Sequence, residues 1–227
     1  MASDQESKGL VYEEGNIQVS NEPIEQLHQQ EIPHMHGGIV LLRQTNKNRI
    51  SEALVQRRAS NKKQFPNHHC LSAGGHCMEE DFEKDSNFAD LATIVRETQE
   101  EIGIILNLKE LKAYLGNSGK SQVKLQDQFQ YSTYAYVAGV HRFDTSLEVP
   151  YHKTFHPSQE KPIFSVVYLL LPNEEELQFK IAEDELSGLE WKKVDEIQNS
   201  SIKITPWLKY FIDIMPEQAV ESLRKAI

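Results

Sequence analysis

No stretch of the chain approaches the roughly 18 consecutive apolar residues that a membrane-crossing helix needs. The longest apolar run, FSVVYLLLP at 164–172, suits a buried strand instead. Cysteine is scarce: Cys70 and Cys77 are the only two, too few for a disulfide framework, and they point to a reducing compartment. Basic charge is also short, with 24 Lys and Arg against 34 Asp and Glu, a net charge of -10. That balance argues against general binding to nucleic acid or to an anionic membrane. It leaves room for a polyanionic small molecule, because divalent cations bridge carboxylates to phosphates. The first residues, MASDQESKGLVYEEGN, have neither a basic start nor an apolar stretch, so no leader is expected and the cytoplasm is the expected location.

What remains is ordinary globular material: 227 residues, 39% hydrophobic and 26% charged, enough for one domain with insertions. Residues 1–30 read as a polar, partly ordered extension, with 1–9 disordered and VYEEGNIQV a short hairpin. The stretch 21–33 reads as a connector closed by Pro33. GGIVLLRQ and EALVQRR read as strands about a polar turn, and HHCLSAGG as a third strand ending in a glycine turn. An acidic loop, CMEEDFEKDSN, leads to a helix over about 87–102. Ser86 or Asn87 is its expected N-cap and Gly103 its stop. Strands are then expected in LKAYLGNSG, QFQYSTYAYVAGV, IFSVVYLLLP and GLEWKKV, with a long loop at 141–162 and an amphipathic helical tail at 206–227. The fold class is α/β or α+β, with the main domain spanning 31–205.

The expected helix carries Glu97, Glu100 and Glu101 within five positions. At about 100° per residue, with Glu97 at zero, Glu100 falls at about 300° and Glu101 at about 40°. Leu91, Val95 and Ile102 lie opposite, so the helix buries one face and concentrates negative charge on the other. Arg96 lies beside the acidic arc and can orient a glutamate. Such an arc is either a solvated face or a hard-oxygen cage. The preceding Gly74-Gly75 pair favours the cage, since glycine lets a backbone carbonyl approach an ion.

GGHCMEED…RETQEEIGI resembles the Nudix box, G-x5-E-x7-R-E-U-x-E-E-x-G-U, in which U is aliphatic. From Arg96 to Ile104 the match is full, except that Thr98 stands at an aliphatic position. Upstream, Asp81 replaces the first glutamate, and fourteen residues rather than seven separate it from Arg96, so an insertion is expected at about 82–88. HMHGGIVLLR…EALVQRRASNKKQFPNHHCLSAGGH is similar to the segment before the box in isopentenyl-diphosphate-isomerase-like Nudix proteins. That resemblance implies diphosphate contacts from Arg58 and Lys62, with His76 beside the site. His36 matches a histidine that is a metal ligand in the isomerases. Gly74 occupies the position of the isomerases' reactive cysteine, which favours hydrolysis over isomerisation.

The resemblance implies a Nudix fold, a mixed sheet between helices. It also implies Mg²⁺ or Mn²⁺ held by Glu97, Glu100, Glu101 and the Gly75 carbonyl, with Arg96, Glu97 and Glu100 as catalytic residues. The expected substrate is a nucleoside diphosphate linked to another group, or a related compound. The base is Glu97 or Glu101 from the box, or one of Glu148, Glu160, Glu183 and Glu185 from later loops. Two other readings stand: a binding or regulatory module that hydrolyses nothing, and an isomerase of a prenyl diphosphate. Many relatives pair, and the helical tail is a candidate homodimer interface. The HHC…HC cluster fits no common structural-zinc spacing, and Cys70 and Trp191 are expected in the core.

Overall fold

The computed structural model describes residues 7–46, 49–62, 64–116, 122–144, 162–171 and 177–215. In chain order the elements are β1 (Lys8–Glu13), β2 (Asn16–Pro23), α1 (Ile24–Gln29), β3 (His34–Asn46), β4 (Arg49–Arg58), β5 (His69–Cys70) and β6 (Ala73–His76). They continue with α2 (Glu79–Lys84), α3 (Ala89–Ile102), β7 (Ile105–Leu106), α4 (Leu108–Leu115), β8 (Gln122–Gln126) and β9 (Ser132–Asp144). The last are β10 (Pro162–Leu171), β11 (Leu186–Lys193), α5 (Val194–Gln198) and α6 (Pro206–Asp213).

β1 and β2 form the expected hairpin. The other strands make one mixed sheet in the order β11-β4-β3-β10-β9-β8-β7, with β5 on β4 and β6 on β3. β3 runs parallel to β10 and antiparallel to its other neighbours. The run GGIVLLR is continuously apolar because both faces of β3 are covered. Ile39 and Leu41 join the core beneath α3 and α4, while Val40 and Leu42 join the core beneath α5 and α6. β10 repeats the pattern, with Val167 and Leu169 on the first face and Val166 and Tyr168 on the second. The sheet thus lies between helices, as expected of the fold class. No helix among the described residues is long and apolar enough to cross a membrane.

Several local expectations change. The supposed strand at 111–119 is corrected over 111–115, which belong to the helix α4, while 117–119 lie outside the described residues: Leu108, Leu111 and Leu115 recur at helical spacing, and the Asn107 side chain accepts from the Lys109 N–H. The supposed connector at 21–33 contains α1, and the acidic loop contains α2. HHCLSAGG divides into two short strands with different partners, His69–Cys70 against β4 and Ala73–His76 against β3. α3 begins at Ala89, two or three residues after the expected caps. Its end is as expected: Gly103 adopts φ 71°, and its N–H donates to the Gln99 carbonyl. Of the loop at 141–162, residues 141–144 and 162 belong to strands and the rest lies outside the described residues, as do 1–6 and 216–227. α6 buries Trp207, Leu208, Phe211 and Ile212 against the sheet.

Candidate active site

α3 lies across β3 and β6, which cover its apolar side and part of its acidic side. Its apolar side places Leu91, Ile94 and Ile102 in the core. Thr98, at the box's aliphatic position, is fully buried and donates its hydroxyl to the Ile94 carbonyl at 2.6 Å, so the substitution leaves no orphan donor. The acidic side is the larger surprise. Glu97 is only 9% exposed and Glu101 only 7%, so two of the three glutamates of the arc are withdrawn from solvent while Glu100 stays exposed.

The glycine pair makes that burial possible. A Cβ on Gly75 would stand 2.3 Å from Glu97 Oε1, and one on Gly74 would stand 2.7 Å from the Gly37 carbonyl oxygen. Only glycine lets β6 fit between β3 and the two carboxylates. The Gly74 N–H donates to Glu101 Oε2 at 2.7 Å, and Gln56 Nε2 stands 3.5 Å from the same oxygen. Gln56 was not singled out from sequence. It lies two residues before Arg58, on the same side of β4, so strand alternation pointed to it.

Arg96 organises the rest. Its Nε and Nη2 donate to the two oxygens of Asp81 at 3.1 and 2.9 Å. Nη1 donates to Glu97 at 2.7 Å and Glu100 at 3.1 Å, and Nη2 also reaches the His76 carbonyl at 3.0 Å. Asp81 has no exposed surface and also accepts from the Thr93 hydroxyl at 2.8 Å. The shorter carboxylate therefore meets Arg96 despite the long separation. The inserted residues complete α2 and turn back into α3, held by an Asp85–Lys112 ion pair and by Arg142, which donates to the Asn87 carbonyl. Arg142 also grips the buried Asp90 through two bonds of 2.7 Å.

Charge is unbalanced here. Glu80, Asp81, Glu97 and Glu100 all pair with the single guanidinium of Arg96. Burial pushes the Glu97 carboxyl up to about 7, with Arg96 opposing and Glu100 adding to the rise. Burial, then the nearby charge of Glu97, pushes Glu101 up to about 8, against the Gly74 hydrogen bond and the Arg58 charge. Burial by itself would lower the Arg96 guanidinium, but its bond to Asp81 and the surrounding carboxylates raise it. Oxygen donors with excess negative charge suit Mg²⁺ or Mn²⁺, so Glu97, Glu101 and Glu100 fit the expected ion, with the Gly75 backbone close against Glu97. Glu100 is the most open of the three glutamates, its side chain 60% exposed.

The expected diphosphate contacts fall nearby. Arg58 ends β4, and its Nε donates to the Gln64 carbonyl at 3.1 Å. Lys62 forms an ion pair with Glu185, one of the four late glutamates that sequence could not rank. Glu183 is exposed, while Glu148 and Glu160 lie outside the described residues. The His76 ring lies against another group: His28 Nε2 is 3.1 Å from His76 Nε2, and His34 completes a trio whose ring nitrogens lie within 4.8 Å of one another. His36 packs on His34 and His76. This trio could also hold a metal ion; the long separations in sequence concealed it. Cys70 is core, its Sγ accepting from Trp207 Nε1 at 2.8 Å, and Cys77 is fully buried. Trp191 packs beside the core with Arg43 4.3 Å over its ring.

A family model described as the NUDIX domain matches residues 33–213. Among curated proteins none gives a significant match. Among solved structures, the Deinococcus radiodurans protein DR0079 is similar over 92% of this chain and 99% of its own, at 14% identity and a TM-score of 0.50. A NUDIX hydrolase from Alicyclobacillus acidocaldarius is similar over 82% and 95%, at 18% identity and a TM-score of 0.47. A C. elegans Ap4A hydrolase is similar over 85% and 98%, at 10% identity and a TM-score of 0.42. At 14% identity the likeness to DR0079 bears on the fold alone.

Proposed function

The chain belongs to the Nudix family of diphosphate hydrolases, and from that premise we propose that it hydrolyses, with Mg²⁺ or Mn²⁺, the diphosphate linkage of a nucleoside diphosphate joined to another group, or a related compound. The observation that carries this reading is the buried pair Glu97 and Glu101 facing Gly74-Gly75, where carboxylates outnumber the one guanidinium among them. A folded protein tolerates such a cluster best when a cation completes it. When bound, the ion neutralises the diphosphate oxygens and lowers the pKa of a coordinated water.

The protein's own groups do the rest. Arg96 holds Glu97 and Glu100 in fixed rotamers and is itself fixed by buried Asp81, so the glutamates are positioned before substrate arrives. Arg58 and Lys62, at the end of β4 and in the turn beyond it, supply positive charge for the diphosphate. Glu97 or Glu101 can take a proton from the attacking water once ionised, a state that a bound cation favours against the burial that raises both carboxyls. The isomerase reading gains no support: a side chain at position 74 would collide with the Gly37 carbonyl. The two buried free thiols, Cys70 and Cys77, agree with a cytoplasmic setting. The test is phosphate-product release from a panel of nucleoside-diphosphate compounds with Mg²⁺, wild type beside Glu101→Gln. Turnover that is lost in the variant supports the reading. No turnover from folded, ligand-binding wild type would turn it towards the binding module.

A further inference from the structure

We propose that Glu185 is an internal competitor for the diphosphate: it occupies the Lys62 ammonium in the empty site and is displaced when a diphosphate oxygen takes that ammonium. The inference rests on the functional reading above, and it adds a residue that sequence could name but not place.

The ion pair joins positions 123 residues apart. Its backbone is tied on both sides. The Ala59 N–H donates to the Glu185 carbonyl at 3.0 Å, and the Lys62 N–H donates to the Ala59 carbonyl at 3.3 Å. The Glu185 N–H donates to Ala182, whose own N–H donates to the Glu101 carbonyl at 3.1 Å, so the turn is fixed to the end of α3. Leu186 pairs with Arg58 across β11 and β4. Exchange of partners therefore needs only side-chain rotation.

The two side chains differ in freedom. Lys62 is 24% exposed and Glu185 is 44% exposed, so the carboxylate has open solvent to move into while the ammonium is the more enclosed. A half-buried ammonium is costly without a counter-charge. A diphosphate beside Lys62 and Arg58 supplies that counter-charge with more negative charge than one carboxylate. The released carboxylate can then turn to water at little cost, since a half-exposed pair is weak.

Competition and simple positioning predict opposite signs for one substitution. If Glu185 holds Lys62 ready for substrate, neutralising it weakens anion binding; if it competes, neutralising it tightens binding. The measurement is the affinity for methylenediphosphonate, which cannot be hydrolysed, by calorimetry in EDTA. Wild type, Glu185→Gln, Lys62→Gln and the double variant are compared, and thermal unfolding checks each fold. We expect Glu185→Gln to bind about two- to fivefold more tightly than wild type. Lys62→Gln should bind more weakly, and Glu185→Gln should add nothing in that background. Glu185→Asp, whose shorter carboxylate cannot hold the same contact, should show part of the gain if the glutamine variant folds poorly. Unchanged or weaker binding by Glu185→Gln overturns the proposal, as does wild type that does not bind the probe. So does a gain that persists without Lys62, which would mean general charge repulsion. The hydrolysis panel on the same preparations separates the two ideas: a positive binding cycle without turnover refutes the hydrolase reading alone, and turnover without the cycle refutes the competitor alone.

Discussion

Removing the charge of Glu101 gives the sharpest test of the buried acidic pair. Burial and the neighbouring Glu97 charge raise the Glu101 carboxyl from 4.5 to about 8. A carboxyl with a higher pKa in the folded chain holds its proton more tightly there. Its contribution to stability is therefore complete below about pH 4.5 and lost as pH climbs through about 8. At about 1.4 kcal/mol for each pH unit, Glu101 alone represents about 5 kcal/mol at the limit. Glu97, raised from 4.5 to about 7, adds less than its own share because each carboxyl is part of the other's environment. We expect metal-free protein to lose about 3–5 kcal/mol of stability between about pH 5 and pH 8.5. In Glu101→Gln the loss should fall to about half or less, because the variant keeps an acceptor for the Gly74 N–H and relieves Glu97 of a like charge. Urea unfolding in EDTA across this range reads the effect as a shift in midpoint at constant slope. Groups outside the pair cancel in the difference between the two proteins. Millimolar Mg²⁺ should restore wild type at the alkaline end and leave the variant less changed. Parallel stability profiles for the two proteins would refute the buried-pair account.

Three further outcomes follow from single contacts. Gly75→Ala places a methyl 2.3 Å from Glu97 Oε1; Mn²⁺ affinity, read by electron paramagnetic resonance, should fall about tenfold or more with the fold retained. Asp81→Asn weakens the fully buried contact to Arg96 while Glu80, Glu97 and Glu100 still counter the guanidinium, and urea unfolding should show a loss of about 1–3 kcal/mol. Arg58→Ala removes a proposed diphosphate contact whose charge also acts on Glu101, so steady-state kinetics should show KM rising about tenfold or more.

Much of the site was legible because a helix is a local structure. The spacing of Glu97, Glu100 and Glu101 opposite Leu91 and Ile102 fixes one arc whatever α3 packs against, and Gly103 ends the helix through a backbone conformation that other residues resist. The apolar run of β10 likewise announces a buried strand, and the NUDIX family match agrees with the box read from these residues. Periodicity misled where segments were short. Residues 111–119 contain both aromatic and leucine residues, and the leucine spacing prevailed once α4 could pack on the core. α1 and α2, at six residues each, carry too little pattern to stand out from polar loops.

By itself, then, the sequence determined which residues share a helix face, where that helix stops and which strands are covered on both sides, because these depend on neighbours a few positions apart. Only the tertiary structure decided that Glu97 and Glu101 are buried, since that depends on β6 lying close enough for glycine alone to fit. It also decided that Asp81 meets Arg96 across the insertion, that His28 and His34 converge on His76, and that Glu185 reaches Lys62 rather than water. Those pairings join segments far apart in the chain, and their geometry is set by how the sheet closes on its helices.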